Sequence, residues 1–219
     1  MTSILNMLFD AFLSFLPFII LIGVIYFVYV FFFKKRWNKF ARELSLSYSP
    51  QSNVAYPEAL RDLNLFNDGF IRLNKYLDGV RNNTSWGVYT FSKNIGRRRI
   101  KGFLLFSASN SAWSFPYSAV ERHSGLVGFV VGKAFSGRDS DFKVEGVPSN
   151  YSFVCENKDS NSEFVSKVKS FLNNTSDFKF KRIILKNNSV AFLFDIEQTR
   201  KTPKLVLKCE NFLNSLSKN

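Results

Sequence analysis

"FFFKKRWNKF", residues 31–40, sets three phenylalanines directly against three cations and a tryptophan. The first half calls for hydrocarbon and the second for water and negative charge, with nothing between them. Working back from Phe33, no charged residue occurs before Asp10, so residues 11–33 form an uncharged, largely apolar run. As a helix rising about 1.5 Å per residue, it extends about 35 Å, enough to cross a hydrocarbon core of about 30 Å with some tilt. Pro17 falls near its start, where a helix best spares an amide hydrogen bond. Buried helices of soluble proteins rarely stay apolar on every face for that length. A cleaved signal peptide would carry cations ahead of a shorter apolar core and small residues at its end. Here no Lys or Arg precedes Lys34, and the run closes on Phe31-Phe32-Phe33. Residues 1–36 are therefore expected to be a retained transmembrane anchor, spanning about 11–33, with a basic boundary.

Lys34, Lys35, Arg36, Lys39 and Arg42 crowd the far side of the span, while the near side offers only Asp10. The positive-inside bias then places the N-terminus outside and the C-terminal domain in the cytoplasm, at a bacterial inner membrane. Trp37 suits the interfacial aromatic belt, and the cations beside it suit anionic headgroups, each contributing about 1 kcal/mol. No Gly or Pro interrupts the chain between Phe33 and Ser45, and Trp37, Phe40, Ala41 and Leu44 repeat at helical spacing. One helix is expected to run from the bilayer into the domain and hold it close to the membrane.

Residues 37–219 suffice for one domain with a real core, and 26 of the 219 residues are Phe. The net charge of +13 stays strongly positive after the boundary cations and Asp10 are set aside. A basic balance asks for an anionic neighbour, and beside an anchor the lipid surface is the nearest one. No nucleic-acid-binding motif accompanies the charge, so no specific nucleic acid is expected. Cys155 and Cys209 have neither metal-ligand nor redox spacing and read as small core residues of a reducing compartment. Asn82-Asn83-Thr84 and Asn173-Asn174-Thr175 match a glycosylation pattern that a cytoplasmic domain leaves unused.

Along the domain, Pro57-Glu58-Ala59-Leu60 reads as a helix start. Strands are expected at 86–91 and 100–107, joined by a loop over 93–99, and further short ones at 127–131, 141–145 and 151–155. Ser160 and Glu163 form a capping box before the apolar face Phe164, Val165, Val168, Phe171 and Leu172. A hairpin over 178–185 and 190–196 turns at Lys186-Asn187-Asn188. Thr202-Pro203 then opens a helix with Leu205, Val206, Cys209, Phe212, Leu213 and Leu216 on one face. The fold class expected is α+β: one N-terminal transmembrane helix followed by a mixed, mostly antiparallel β domain with flanking helices.

The sequence holds no nucleophile elbow, zinc-protease, P-loop or dinucleotide motif, and no cofactor or metal is expected. Its single histidine, His123, stands beside Glu121 and Arg122 and reads as a surface residue. Asp139, Asp141 and Glu145 form the densest carboxylate group, interleaved with Arg138 and Lys143 as in ordinary charge balancing. Arg97, Arg98, Arg99 and Lys101 make the sharpest basic cluster, suited either to a solvated hairpin tip or to phosphate groups. The leading expectation is a membrane-anchored binding domain, without catalytic residues, that contacts a protein partner or an anionic lipid surface. The alternative is a ligand-sensing membrane effector that binds a nucleotide-like anion, in outline similar to antiphage signalling effectors. A hydrolase using His123 or the Asp139/Asp141 pair is the third.

Trp37-x-x-Phe40-Ala41, Leu46-x-Tyr48, Leu65-Phe66-x-x-Gly69, Arg72-x-x-x-x-Leu77-x-Gly79 and Gly87-Val88-x-x-Phe91 recur in one order. Asp141-Phe142, Pro148 to Tyr151 and the Phe164 to Leu172 segment continue it. Together they resemble a family of uncharacterised bacterial single-pass membrane-anchored proteins with a cytoplasmic α+β domain. The resemblance covers most of the chain after the anchor and implies that fold and placement. It carries no site residue, because the family has no assigned activity. Where such proteins often continue the Gly87 strand into an acidic-aromatic pair, this chain has Ser92-Lys93.

Overall fold

Two asparagines decide how the sheet begins. Asn82 and Asn83 hold positive φ angles of 50° and 60° between β2 (Ile71–Arg81) and β3 (Thr84–Ile95). That is the two-residue hairpin turn whose twist matches its strands, and asparagine tolerates the left-handed conformation better than most residues. The computed structural model describes residues 2–55, 57–58, 60, 63, 71–95, 98–109, 115–122, 151–155, 161–175, 177–178 and 180–216. The chain divides into two compact units, Met1–Lys39 and Phe40–Asn219.

The first unit belongs to α1, a helix assigned over Thr2–Leu44 with Pro17 inside it. Its apolar window has a mean hydropathy of 2.6 and buries none of its residues. Phe27 is 70% exposed and Ile22 66%. A soluble core helix would hide such side chains, so α1 has the length and the all-round apolar surface of a membrane span.

The second unit is built on one eight-stranded sheet in the order β1-β2-β3-β4-β8-β7-β5-β6, every neighbouring pair antiparallel. The remaining strands are β1 (Ser47–Gln51), β4 (Arg98–Ser109), β5 (Phe115–Arg122), β6 (Tyr151–Cys155), β7 (Phe180–Asn187) and β8 (Ser189–Asp195). The first four strands form a meander. The β7–β8 hairpin then wedges between β4 and β5, and α2 (Asn161–Asn174) carries the chain from β6 across β5 to β7. After β8, a 3-10 turn (Ile196–Lys201) leads into α3 (Thr202–Leu216). The expected α+β class, mostly antiparallel with flanking helices, is what the structure has.

Alternation along the strands gives the sheet two apolar faces. On one, Phe103, Phe180, Phe192 and Phe194 meet the helices: the Phe171 and Phe212 rings lie 4.7 Å apart, and each is 6.1 Å from Phe192. On the other, Leu73, Tyr89, Phe91, Leu104, Phe106, Ile184 and Leu193 pack with Leu60 and Leu63. Two glycines shape this second face. A Cβ on Gly102 would lie 2.3 Å from the Phe91 ring and one on Gly87 would lie 2.4 Å from the Tyr89 ring, so both aromatics lie flat across glycine. Phe40, Ala41 and Leu44 are buried, as their helical spacing led us to expect. Arg81, Asn82 and Glu210 tie the β2–β3 turn to α3.

Several expected boundaries need correction. The loop expected over 93–99 is mostly strand: Lys93 pairs with Ile100, Asn94 with Arg99 and Ile95 with Arg98. Only residues 96 and 97, outside the described ones, separate β3 from β4. The β7–β8 turn is tighter than expected, with Asn187 at φ 53° and Lys186 already paired to Ser189. Near Pro57, the Leu60 amide donates to the Pro57 carbonyl at 2.9 Å. Ser160 of the expected capping box and the strands expected at 127–131 and 141–145 lie outside the described residues.

Candidate anion-binding site

The basic cluster of the β3–β4 hairpin is part of a three-strand arrangement. Ser92 on β3 pairs with Arg72 on β2 and with Lys101 on β4, so all three side chains share one face of the sheet in one row. Arg99, two residues before Lys101, stands on that face too, and its Nη2 donates to Ser92 Oγ at 3.1 Å. Neighbouring strands lie about 4.8 Å apart, which sets Arg72 and Lys101 roughly 10 Å from each other with the short serine between them. Arg72, Arg99 and Lys101 are exposed and Ser92 is half-buried. Asn94 and Thr90 flank the row on the same face. Asp195, beside the cations in the fold, projects to the opposite face through its pairing with Gly102 and is held there by Lys181 at 2.6 Å.

This geometry brings Arg99 and Lys101 together. Arg98 lies on β4, paired with Ile95, and Arg97 lies outside the described residues. Arg72 and Ser92 were missed in sequence. No local signal finds them, because the sheet register alone places them beside the hairpin cations.

At the boundary of α1, Lys34, Lys35 and Lys39 are exposed and Arg36 is half-buried. The Arg36 guanidinium stands 5.3 Å from the Phe33 ring centre and 6.0 Å from that of Trp37, and the Phe33 and Trp37 rings lie 6.1 Å apart. Arg36 rests on these rings, but Trp37 is only 1% exposed, so it does not offer the open interfacial face expected of it, and the exposed charge at this boundary is that of the three lysines.

A concavity of about 370 Å³ runs between α2 and α3, lined by Phe171 and Phe212 together with Lys167 and Lys208. Lys208 Nζ donates to the Asn174 carbonyl at the end of α2 and sits 5.0 Å from the Phe178 ring. It caps orphan carbonyls of a helix C-terminus, a structural duty that a cation performs well there.

Among the described residues, no group of three or more His, Cys, Asp or Glu could hold a metal ion. Burial pushes the Cys209 thiol well up, which keeps it in its unreactive protonated form. Cys155 lies in β6. His123, Asp139, Asp141 and Glu145 lie outside the described residues.

No family model matches the sequence, and a search of curated proteins finds no match. Among solved structures, the chain is similar to the mycobacterial trehalose monomycolate transport factor A. The TM-score is 0.46 at 9% identity, over 83% of this chain and 94% of that one. A likeness that weak carries no functional argument.

Proposed function

We propose that this chain is a membrane-anchored binding domain, held on the cytoplasmic side of a bacterial inner membrane, whose basic sheet end engages anionic lipid headgroups. The observation that carries the reading is the row Arg72, Ser92 and Lys101 with Arg99, three exposed cations on one face of the sheet, in a chain that also has a helix long and apolar enough to cross a membrane. The orientation rests on the cations that follow the span. The binding is electrostatic and non-covalent. It needs no catalytic group, and each cation brought to an anionic surface contributes about 1 kcal/mol.

The test is flotation of the fragment 37–219 with vesicles of neutral or acidic lipid. Binding to acidic vesicles that fades as salt rises supports the reading, since exposed charges are screened over about 8 Å at physiological ionic strength. Equal binding to both kinds of vesicle, or none to either, rejects it.

A further inference from the structure

We infer that the row Arg72, Ser92 and Lys101, with Arg99, is built for a terminal phosphate: the headgroup of a phosphomonoester lipid. This rests on the lipid-facing reading above and adds to it a lipid class and two residues outside the hairpin cluster.

The argument is one of donor count and placement. Arg72 and Lys101 rise from β2 and β4 on either side of Ser92, all on one face. The short serine stands between the two long cations, and Arg99 Nη2 donates to Ser92 Oγ at 3.1 Å, which brings a third cation to the same place. A hydroxyl that accepts from a guanidinium keeps its own hydrogen for another acceptor, so Ser92 can donate to an anion held beside Arg99. Donor-bearing side chains therefore stand side by side on three adjacent strands, β2, β3 and β4. A phosphodiester, as in most membrane lipids, presents two unesterified oxygens and one charge. A phosphomonoester presents three such oxygens and close to two charges above its second pKa of about 6. Three cations beside one hydroxyl match the second, and guanidinium forks reward it with paired hydrogen bonds. Asp195, which would oppose an anion, projects from the other face of the sheet.

The experiment uses the full-length chain in a neutral detergent at pH 8, with short-chain phosphatidic acid, phosphatidylglycerol and phosphatidylcholine as probes and bound lipid read by native mass spectrometry. The expected result is apparent affinity for phosphatidic acid at least tenfold above that for phosphatidylglycerol, with no retention of phosphatidylcholine. Arg72→Gln and Lys101→Gln should each lower phosphatidic acid affinity about fivefold, the equivalent of about 1 kcal/mol per cation. Arg72→Lys should restore part of the loss, and Lys204→Gln on the exposed side of α3 should change nothing. Thermal unfolding of each variant checks that the fold persists. Equal affinity for the two anionic lipids overturns the phosphomonoester assignment while the lipid-facing reading stands. Full affinity in Arg72→Gln removes the three-strand row, and retention of no anionic lipid by the wild type removes both.

Discussion

The Arg81 Nε–H is shared between both carboxylate oxygens of Glu210, at 3.0 Å each, and Nη1 of the same guanidinium donates to the Leu44 carbonyl at 3.1 Å. Asn82 Nδ2 adds a bond to Glu210 at 2.6 Å. The Glu210 side chain is only 9% exposed, so its charge relies on these partners. Removing one partner of a buried pair leaves an uncompensated charge and costs about 3–5 kcal/mol; Arg81 is partly solvated, so the lower end applies. Arg81→Ala should cost the domain about 3 kcal/mol in denaturant unfolding. Arg81→Ala with Glu210→Ala should cost less than the two single changes summed, which a double-mutant cycle will show.

Gly102 and Gly87 should resist any side chain. Alanine at 102 drives the Phe91 ring from its place and alanine at 87 does the same to Tyr89. Overpacking of this kind typically costs about 1–3 kcal/mol. The same unfolding assay should show Gly102→Ala becoming cheaper in a Phe91→Leu background. Unchanged cost there would mean that the ring is not what the methyl meets.

The β2–β3 turn gives a backbone test. Asn83 sits at φ 60°, where a Cβ is unwelcome. Asn83→Gly should leave stability unchanged or slightly raised, and Asn83→Ala should lower it by about 1 kcal/mol. A midpoint shift in urea unfolding without a change of slope is the expected signature.

Acid should weaken the β1–β2 edge. Burial alone would raise the Asp78 carboxyl, but hydrogen bonds from Ser49 and Lys75 and the Lys75 charge outweigh it and hold the group below its ordinary value. A depressed folded value means that the stability it contributes is complete above the unfolded aspartate range near pH 3.9. It is lost as pH falls through the folded value. Asp78→Asn should flatten that part of the stability curve. Tyr89 runs the other way: burial first, then the Asp78 charge, pushes its phenol up. Its contribution is complete below about pH 10 and disappears as pH rises through the higher folded value.

What the sequence disclosed, and what it hid, follows from the range of each signal. The apolar run before Lys34, the faces of α2 and α3 and the two hairpins are local patterns, and each was legible. β2 was not. Polar Arg72, Asn74 and Lys75 sit among Ile71, Leu73 and Leu77, and a register shift between Lys75 and Leu77 breaks the period-two alternation that marks a strand. β5 carries a similar shift between Phe115 and Ser118. The site shares that limit. Arg99 and Lys101 announce themselves by clustering, whereas Arg72 joins them only through a pairing that crosses two strands.

Orientation is open to a direct test. Protease added to intact spheroplasts should spare the C-terminal domain and digest it once the membrane is broken. Digestion from outside would place the domain on the opposite side.

The most direct measurement of the central claim compares the wild-type fragment 37–219 with the fourfold variant Arg97→Ser, Arg98→Ser, Arg99→Ser and Lys101→Ser on acidic vesicles at matched salt. The anchor must be absent, since it would hold either protein at the membrane. Surface substitutions usually change stability by less than about 0.5 kcal/mol each, so the variant should fold. At about 1 kcal/mol for each cation that reaches the surface, loss of Arg99 and Lys101 alone should lower its affinity about thirtyfold, and loss of all four by up to nearly a thousandfold. Binding by the variant equal to that of the wild type would contradict the account and leave this end of the sheet an ordinary solvated hairpin.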